Sequence, residues 1–332
     1  MTASPAGHGA SQYAQSVVAL GGGHGLYATL SALSRLVDDL TLDEITAVVT
    51  VADNGGSSGR LRGEFGVLPP GDLRMALAAL CGDDEWGRTW ADVLQHRFAG
   101  AGEMNGHVVG NLLIVSLWER LGDHVEALDW VGRLLGARGR VLPMATTPMD
   151  ITARVRDVGA GPDGPVRTVR GQVEVATVDG EIVSVALDPP EPEACPEAVE
   201  AILAADWVVL GPGSWFTSVI THLMVPGLRE ALERTTARLV VVLNLEPQAG
   251  ETGGFAAEDH LAALLEHAPG LAVDAVVAHG AGVGGPDDVA ALEKAVTAAG
   301  GRLVLADVAT DDGEARHDPT RLAAVLGEVF GA

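Results

Sequence analysis

Basic residues are scarce in this 332-residue chain. Lys and Arg together number 21 against 45 Asp and Glu, a formal net charge of −24. Such a field repels phosphodiester backbones, which excludes nucleic acid as an expected partner. Any anionic ligand must then be held by backbone N–H groups, a local Arg or a metal ion. Aromatics are 4% of the chain, so the core has to be aliphatic. Cysteine occurs twice, at Cys81 and Cys195, in no metal-like spacing, as in a reducing, cytoplasmic compartment without a disulfide framework. No apolar run approaches the roughly 18 residues of a membrane span. The first fifteen residues lack a basic start and a long apolar run, and read as a flexible tail rather than a signal peptide.

Several catalytic signatures are missing too. There is no G-x-S-x-G elbow, no Gly-Lys-Ser/Thr ending of a P-loop and no zinc spacing among the histidines. What is present is glycine, 43 residues of it, together with 47% hydrophobic residues, enough for a large core.

Short apolar runs at 16–20, 45–52, 207–210, 239–243, 273–278 and 303–306 alternate with amphipathic stretches at 26–37, 72–81, 108–120, 196–204, 256–266 and 287–299. Runs that are apolar throughout are what strands buried on both faces require. The alternation predicts an α/β fold: a Rossmann-like parallel sheet flanked by helices, in a single domain over 16–330. The stretch 166–187 departs from this, alternating apolar and polar residues around Asp179-Gly180. It predicts an antiparallel hairpin or small meander inserted into the fold.

The glycines cluster at strand ends. The first run leads into Gly21-Gly22-Gly23-His24-Gly25, with a helical pattern from Leu26, giving the G-x-G-x-x-[G/A] form. Glycine permits unusual φ and close backbone approach, and the following helix start offers free N–H groups to a phosphate. The acid that a nicotinamide site places about 20 residues on comes late, at Asp53, which argues against a dehydrogenase. Asp53 opens a second cluster with Asn54, Ser57, Ser58, Arg60 and Arg62, able to hold phosphate directly or through Mg²⁺. Asp72 either caps the next helix or joins Asp53 around a metal. His107 and Asn111, four apart, are expected on one helical face. A second strand–glycine–helix junction, Gly211, Pro212, Gly213 and Ser214, is expected to form another anion cradle. From residues alone the ligand is phosphorylated; the reaction is open.

Seven segments in order carry a resemblance: GGGHGL (21–26), TVADNGGSSGRLR (50–62), LPPGDLRMAL (68–77), GHVVGNLL (106–113), LGPGSWFTS (210–218), NLEPQAGET (244–252) and HDPTRL (317–322). The chain resembles the YvcK-like gluconeogenesis factors, relatives of the 2-phospho-L-lactate transferases (CofD), over nearly its whole length. The resemblance implies a cytoplasmic regulator that binds UDP-sugars, notably UDP-N-acetylglucosamine, and serves cell shape and growth on gluconeogenic carbon. It implies that the two glycine loops face the nucleotide and that Asp53 lies where the transferases hold Mg²⁺. A homodimer and regulatory protein partners are further expectations. The alternative is a Mg²⁺-dependent transferase of a phosphate-linked group. This chain has His24 and Asn54 where the wider family more usually has Thr and Asp, and the lost acid favours holding the ligand over transforming it.

Overall fold

The computed structural model describes residues 15–38, 41–157, 161 and 164–332; apart from residue 15, the predicted N-terminal tail lies outside them. Ten strands form in chain order: β1 Ser16–Gly21, β2 Glu44–Val49, β3 Arg140–Pro143, β4 Asp150–Arg156, β5 Val166–Arg170, β6 Glu181–Asp188, β7 Trp207–Leu210, β8 Arg238–Val242, β9 Ala275–His279 and β10 Arg302–Ala306. Seven of them make one sheet in the order β10-β9-β8-β7-β1-β2-β3. Every pair in it is parallel.

The strand order fixes where a ligand can sit. From β1 the chain builds outward through β2 to β3. From β7 it builds the other way, through β8 and β9 to β10. β1 and β7 are therefore neighbours across a topological switch point, where the connections leaving their carboxyl ends diverge and open a crevice. In β1, Val17, Val18, Ala19 and Leu20 are at most 3% exposed, as are the four residues of β7. The uniform apolarity of those runs follows from helices covering both faces.

Three helices shape the crevice: α1 (Gly23–Asp38), α2 (Gly56–Phe65) and α3 (Gly71–Ala79). α1 carries Leu26, Leu30, Leu33 and Leu36 on one stripe, all 5% exposed or less. That stripe packs on the sheet and on the C-terminal helix Pro319–Phe330. Burying each leucine contributes about 1.5–3 kcal/mol. Gly327 lets the two helices close up, since a Cβ there would lie 3.2 Å from Leu36 Cδ2.

The antiparallel insertion is a three-stranded sheet, order β5-β4-β6. Its centre is β4, upstream of the stretch that alternates most clearly. β5 and β6 do not pair with each other; each pairs with β4. Between them lies a short helix, Gln172–Ala176, where a simple hairpin would run straight on. β3 and β4 escape the sequence pattern for different reasons. β3 has four residues and ends in proline, while β4 (DITARVR) carries one acid and two arginines on its half-exposed face.

Candidate functional site

The first glycine loop is shaped by its neighbours as much as by any ligand. α1 begins at Gly23, which has φ +56 and open space where a Cβ would stand. Gly22 and Gly25 are crowded instead. A Cβ on Gly22 would lie 2.6 Å from Asp72 Oδ2, and one on Gly25 would lie 2.2 Å from the Pro212 carbonyl oxygen. Gly22 thus admits a carboxylate and Gly25 admits the second glycine loop. The Thr50 hydroxyl, within 3.1 Å of both the Gly21 and Ser218 carbonyl oxygens, ties β1, β2 and the second loop together from below.

Two carboxylates meet beside this loop. Asp53 follows β2 and accepts a 2.8 Å hydrogen bond from the Gly55 N–H. Asp72 stands in the first turn of α3, but makes no capping bond to its own helix. Its side chain reaches the Gly23 N–H instead. A Cβ on Gly71 would lie 2.9 Å from Asp53 Oδ2, so glycine here lets the two acidic segments approach. Enclosure by protein, then the neighbouring Asp53 charge, push the Asp72 carboxyl up to about 7; the Gly23 N–H and Arg74 pull the other way. Arg74 is itself 8% exposed, and burial brings its guanidinium down to about 10. Among the described residues, no group of three or more His, Cys, Asp or Glu gathers into a metal cage. A pair of carboxylates lining the cleft fits Mg²⁺, which binds through one or two carboxylates and completes its shell with phosphate oxygens and water. Burial, and after it the Asp53 charge, disfavour an ionised Asp72, and a bound cation would offset both.

The second loop is more constrained. Gly211 and Gly213 adopt φ of +77 and +143. The Asn244 side chain braces Gly213 twice: its Oδ1 accepts from the Gly213 N–H at 2.9 Å, and its Nδ2 donates to the Gly213 carbonyl at 2.8 Å. A single π-helical turn, Trp215–Val219, follows. Its opening donors are already taken. Glu251 accepts from the Phe216 N–H at 2.7 Å, the Thr217 N–H at 3.3 Å and the Thr217 hydroxyl at 2.5 Å, and Gln248 Oε1 accepts from the Trp215 N–H. The expected second anion cradle is corrected here: the anion at this helix start is the protein's own buried Glu251. Burial raises the Glu251 carboxyl above its usual range, and the three hydrogen bonds oppose that shift. This loop can still offer Gly213 and Ser214 to a ligand, because both line the cleft.

The cleft between the loops has a volume of about 870 Å³. Of the residues singled out from sequence, Gly22, Gly23, His24, Gly25, Asp53, Asp72, Pro212, Gly213 and Ser214 line it, with His24 exposed. The others do not. Ser57, Ser58, Arg60 and Arg62 belong to α2, not to a loop. Asn54 faces away, accepting from the Val173 N–H at 3.1 Å and donating to Glu174 at 2.7 Å, which fastens the inserted sheet to the β2 end. Arg62 pairs with Asp150 at 2.7 Å, and Arg60 donates to the Glu103 and Asn105 carbonyls. His107 lies before the helix Val109–Leu121 rather than on it. It meets Ser57 Oγ at 3.2 Å, while Asn111 donates to Ser58 Oγ at 3.5 Å. That buried polar seam joins α2 to the helix behind it. Gly211 turns the chain and receives the Thr29 hydroxyl on its carbonyl.

The remaining walls come from residues not singled out: Tyr27 on α1, Gln172 of the insertion, Asn244 and Gln248 after β8, and Arg316 and His317 after β10. The segments NLEPQAGET and HDPTRL, already notable at sequence level, were the available signal for three of them, Asn244, Gln248 and His317, and Arg316 directly precedes the second.

Comparison with known proteins agrees with this fold. The family profile described as "2-phospho-L-lactate transferase CofD" matches residues 17–308. The chain belongs to the CofD/UPF0052 family. Within that family it is 53% identical over 313 residues to the "Putative gluconeogenesis factor" of Mycobacterium tuberculosis, covering 94% of this chain and 90% of that one. It is 38% identical over 266 residues to the "Gluconeogenesis factor" of Halalkalibacterium halodurans, covering 80% and 78%. A crystal structure of a UPF0052-family protein from Bacillus halodurans superposes with TM-score 0.80 at 33% identity, covering 94% of this chain and 99% of that one. The CofD/UPF0052 assignment thus extends across both glycine loops and the acid pair. None of the described helices is long and apolar enough to cross a membrane.

Proposed function

We propose that this protein is a cytoplasmic, nucleotide-sugar-binding regulator whose ligand is UDP-N-acetylglucosamine, and that it serves cell shape and growth on gluconeogenic carbon. The observation that carries the reading is the meeting of two glycine loops on adjacent strands, over a pair of carboxylates, at the switch point of a parallel sheet. Such a crevice is where open α/β sheets take nucleotides. Asp53 and Asp72 hold Mg²⁺ there, and the ion supplies the positive charge that a diphosphate requires in an acidic chain. The N–H groups opening α1 donate to the phosphates, and Gly23 leaves open space for their approach. The ligand-bound state is read by protein partners, and the functional unit is a homodimer. Calorimetric titration with UDP-N-acetylglucosamine and Mg²⁺ should give saturable heat, with no turnover product after prolonged incubation. Absence of binding refutes the reading.

One observation favours the alternative, a Mg²⁺-dependent transferase of a phosphate-linked group. The acid replaced at Asn54 is compensated in space, because Asp72 supplies a second carboxylate beside Asp53. Positioning plus a metal ion is all that phosphoryl chemistry asks of a protein. The same incubation decides between the two: a Mg²⁺-dependent product that vanishes in Asp53→Ala establishes the transferase.

A further inference from the structure

Aromatic residues are few in this chain, yet half of its tryptophans stand at the surface. Three of the six, Trp118, Trp207 and Trp215, are at most 4% exposed. The other three gather on two neighbouring helices, Glu85–Gln95 and His124–Leu135, of which the second packs on β3. Trp86 is 55% exposed and Trp130 49%, with Leu134 at 41% and Val93 at 37%; Trp90 is partly buried beside them.

These side chains form one surface. Trp86, Trp90 and Val93 sit at i, i+4 and i+7 on the first helix, and Trp130 and Leu134 at i and i+4 on the second, so each set shares a helical face. The Trp86 and Trp90 rings lie 5.6 Å apart. The Trp86 indole N–H donates to the Leu134 carbonyl at 3.3 Å and joins the two helices. Single apolar residues on a surface are ordinary, but a contiguous patch built on tryptophan marks a contact site.

The size and charge of the face point to a second copy of this chain. Half exposed, Trp86 and Trp130 leave about 250 Å² between them, and Leu134 and Val93 raise the total to roughly 400 Å². One side of a standard interface buries about 800 Å², of which roughly 450 Å² is apolar. The patch supplies most of that share. At −24 per chain, two copies repel over most of their surfaces. Here both signs are present. Glu126 stands four residues before Trp130 and Arg133 three residues after it, both exposed, with the Arg133 guanidinium 5.1 Å from the Trp130 ring centroid. Two such helices packed antiparallel about a two-fold axis at Trp130 place Glu126 of each copy opposite Arg133 of the other. The face is its own complement.

We propose that the helices Glu85–Gln95 and His124–Leu135 form the two-fold interface of a homodimer, with Trp130 at its centre, Trp86 and Leu134 beside it and two Glu126–Arg133 pairs at its rim. The proposal gives a face to the homodimer of the reading above, and rests on that reading for the dimer, not for its ligand. None of these residues lines the cleft, so each copy keeps its own site.

The test is sedimentation velocity on the full chain without ligand, over roughly 1–100 μM protein. Wild type, Trp130→Glu, Trp86→Glu, Glu126→Arg, Arg133→Glu and the double variant Glu126→Arg/Arg133→Glu are compared, each checked for an unchanged thermal transition. Wild type should be a dimer. Every substitution acts twice across a two-fold axis, so Trp130→Glu should weaken association at least about a hundred-fold and leave a monomer. Each single charge reversal should weaken it about ten-fold, and the double variant should return close to wild type. A monomeric wild type overturns the proposal, whether the face then takes another protein or none. A dimer that survives both Trp130→Glu and Trp86→Glu overturns the interface. Single reversals that associate like wild type, or a double variant that does not recover, overturn the antiparallel alignment. Calorimetry with UDP-N-acetylglucosamine on the same proteins separates the two readings. A Trp130→Glu monomer that binds it like wild type supports an interface apart from the site. A wild-type dimer that ignores it refutes the ligand and leaves the interface standing.

Discussion

Asp72→Asn should stabilise the protein at pH 8 and hardly at all in acid. Burial and the Asp53 charge raise the folded-state pKa of Asp72 to about 7, from an ordinary carboxylate value of 3.8. Below the unfolded value the carboxyl is neutral in both states and costs nothing. As pH rises from about 4 to about 7, the unfolded chain gives up the proton and the folded protein keeps it, so stability falls through that window. Above about 7 both states are ionised and the cost is constant. A shift of this size costs about 4 kcal/mol at pH 8, and more than half of that cost builds up between pH 5 and pH 8. Asn keeps the shape and an acceptor for the Gly23 N–H, and it removes the charge. The variant's advantage over wild type, read from urea unfolding at both pH values, should grow by that share of the cost. Mg²⁺ should narrow the gap at pH 8 by stabilising wild type only. An advantage that is equal at pH 5 and pH 8 would refute the reasoning, because desolvation and the Asp53 charge are its only source.

Two further substitutions test the loops. Gly25→Ala places a Cβ 2.2 Å from a backbone carbonyl that has no rotamer to yield. It should cost about 2–3 kcal/mol in chemical unfolding and abolish ligand binding by parting the loops. Glu251→Ala strips the acceptor from two buried N–H groups and the Thr217 hydroxyl. A loss of roughly 3 kcal/mol is expected, against a smaller one for Glu251→Gln, which keeps one oxygen; an unchanged midpoint for Glu251→Ala would show those donors are not buried as described.

The sheet was legible because its strands are buried on both faces and therefore apolar throughout. Six runs named six of the seven parallel strands, and β3 was lost to its length and its terminal proline. The glycine loops were legible for a related reason: a chain leaving a buried strand must turn at once, and only glycine takes the required φ. The roles within the loops were less legible. Gly22 and Gly25 are glycines because Asp72 and Pro212 press on them, a fact no local pattern contains. Arg60 and Arg62 look like phosphate ligands in sequence, yet α2 turns them toward carbonyls and Asp150.

The sequence by itself determined the class of fold, the strand ends at which a ligand can bind and the family, since these follow from burial, backbone freedom and ordered motifs. Tertiary structure alone decided which of the polar residues share a cleft. Asp72 comes to Asp53 across a helix start, Glu251 fills the second helix start, and Arg316 arrives from the far end of the chain. Each is a meeting of segments distant in sequence, fixed by strand order, and side-chain chemistry read along one dimension carries no record of it.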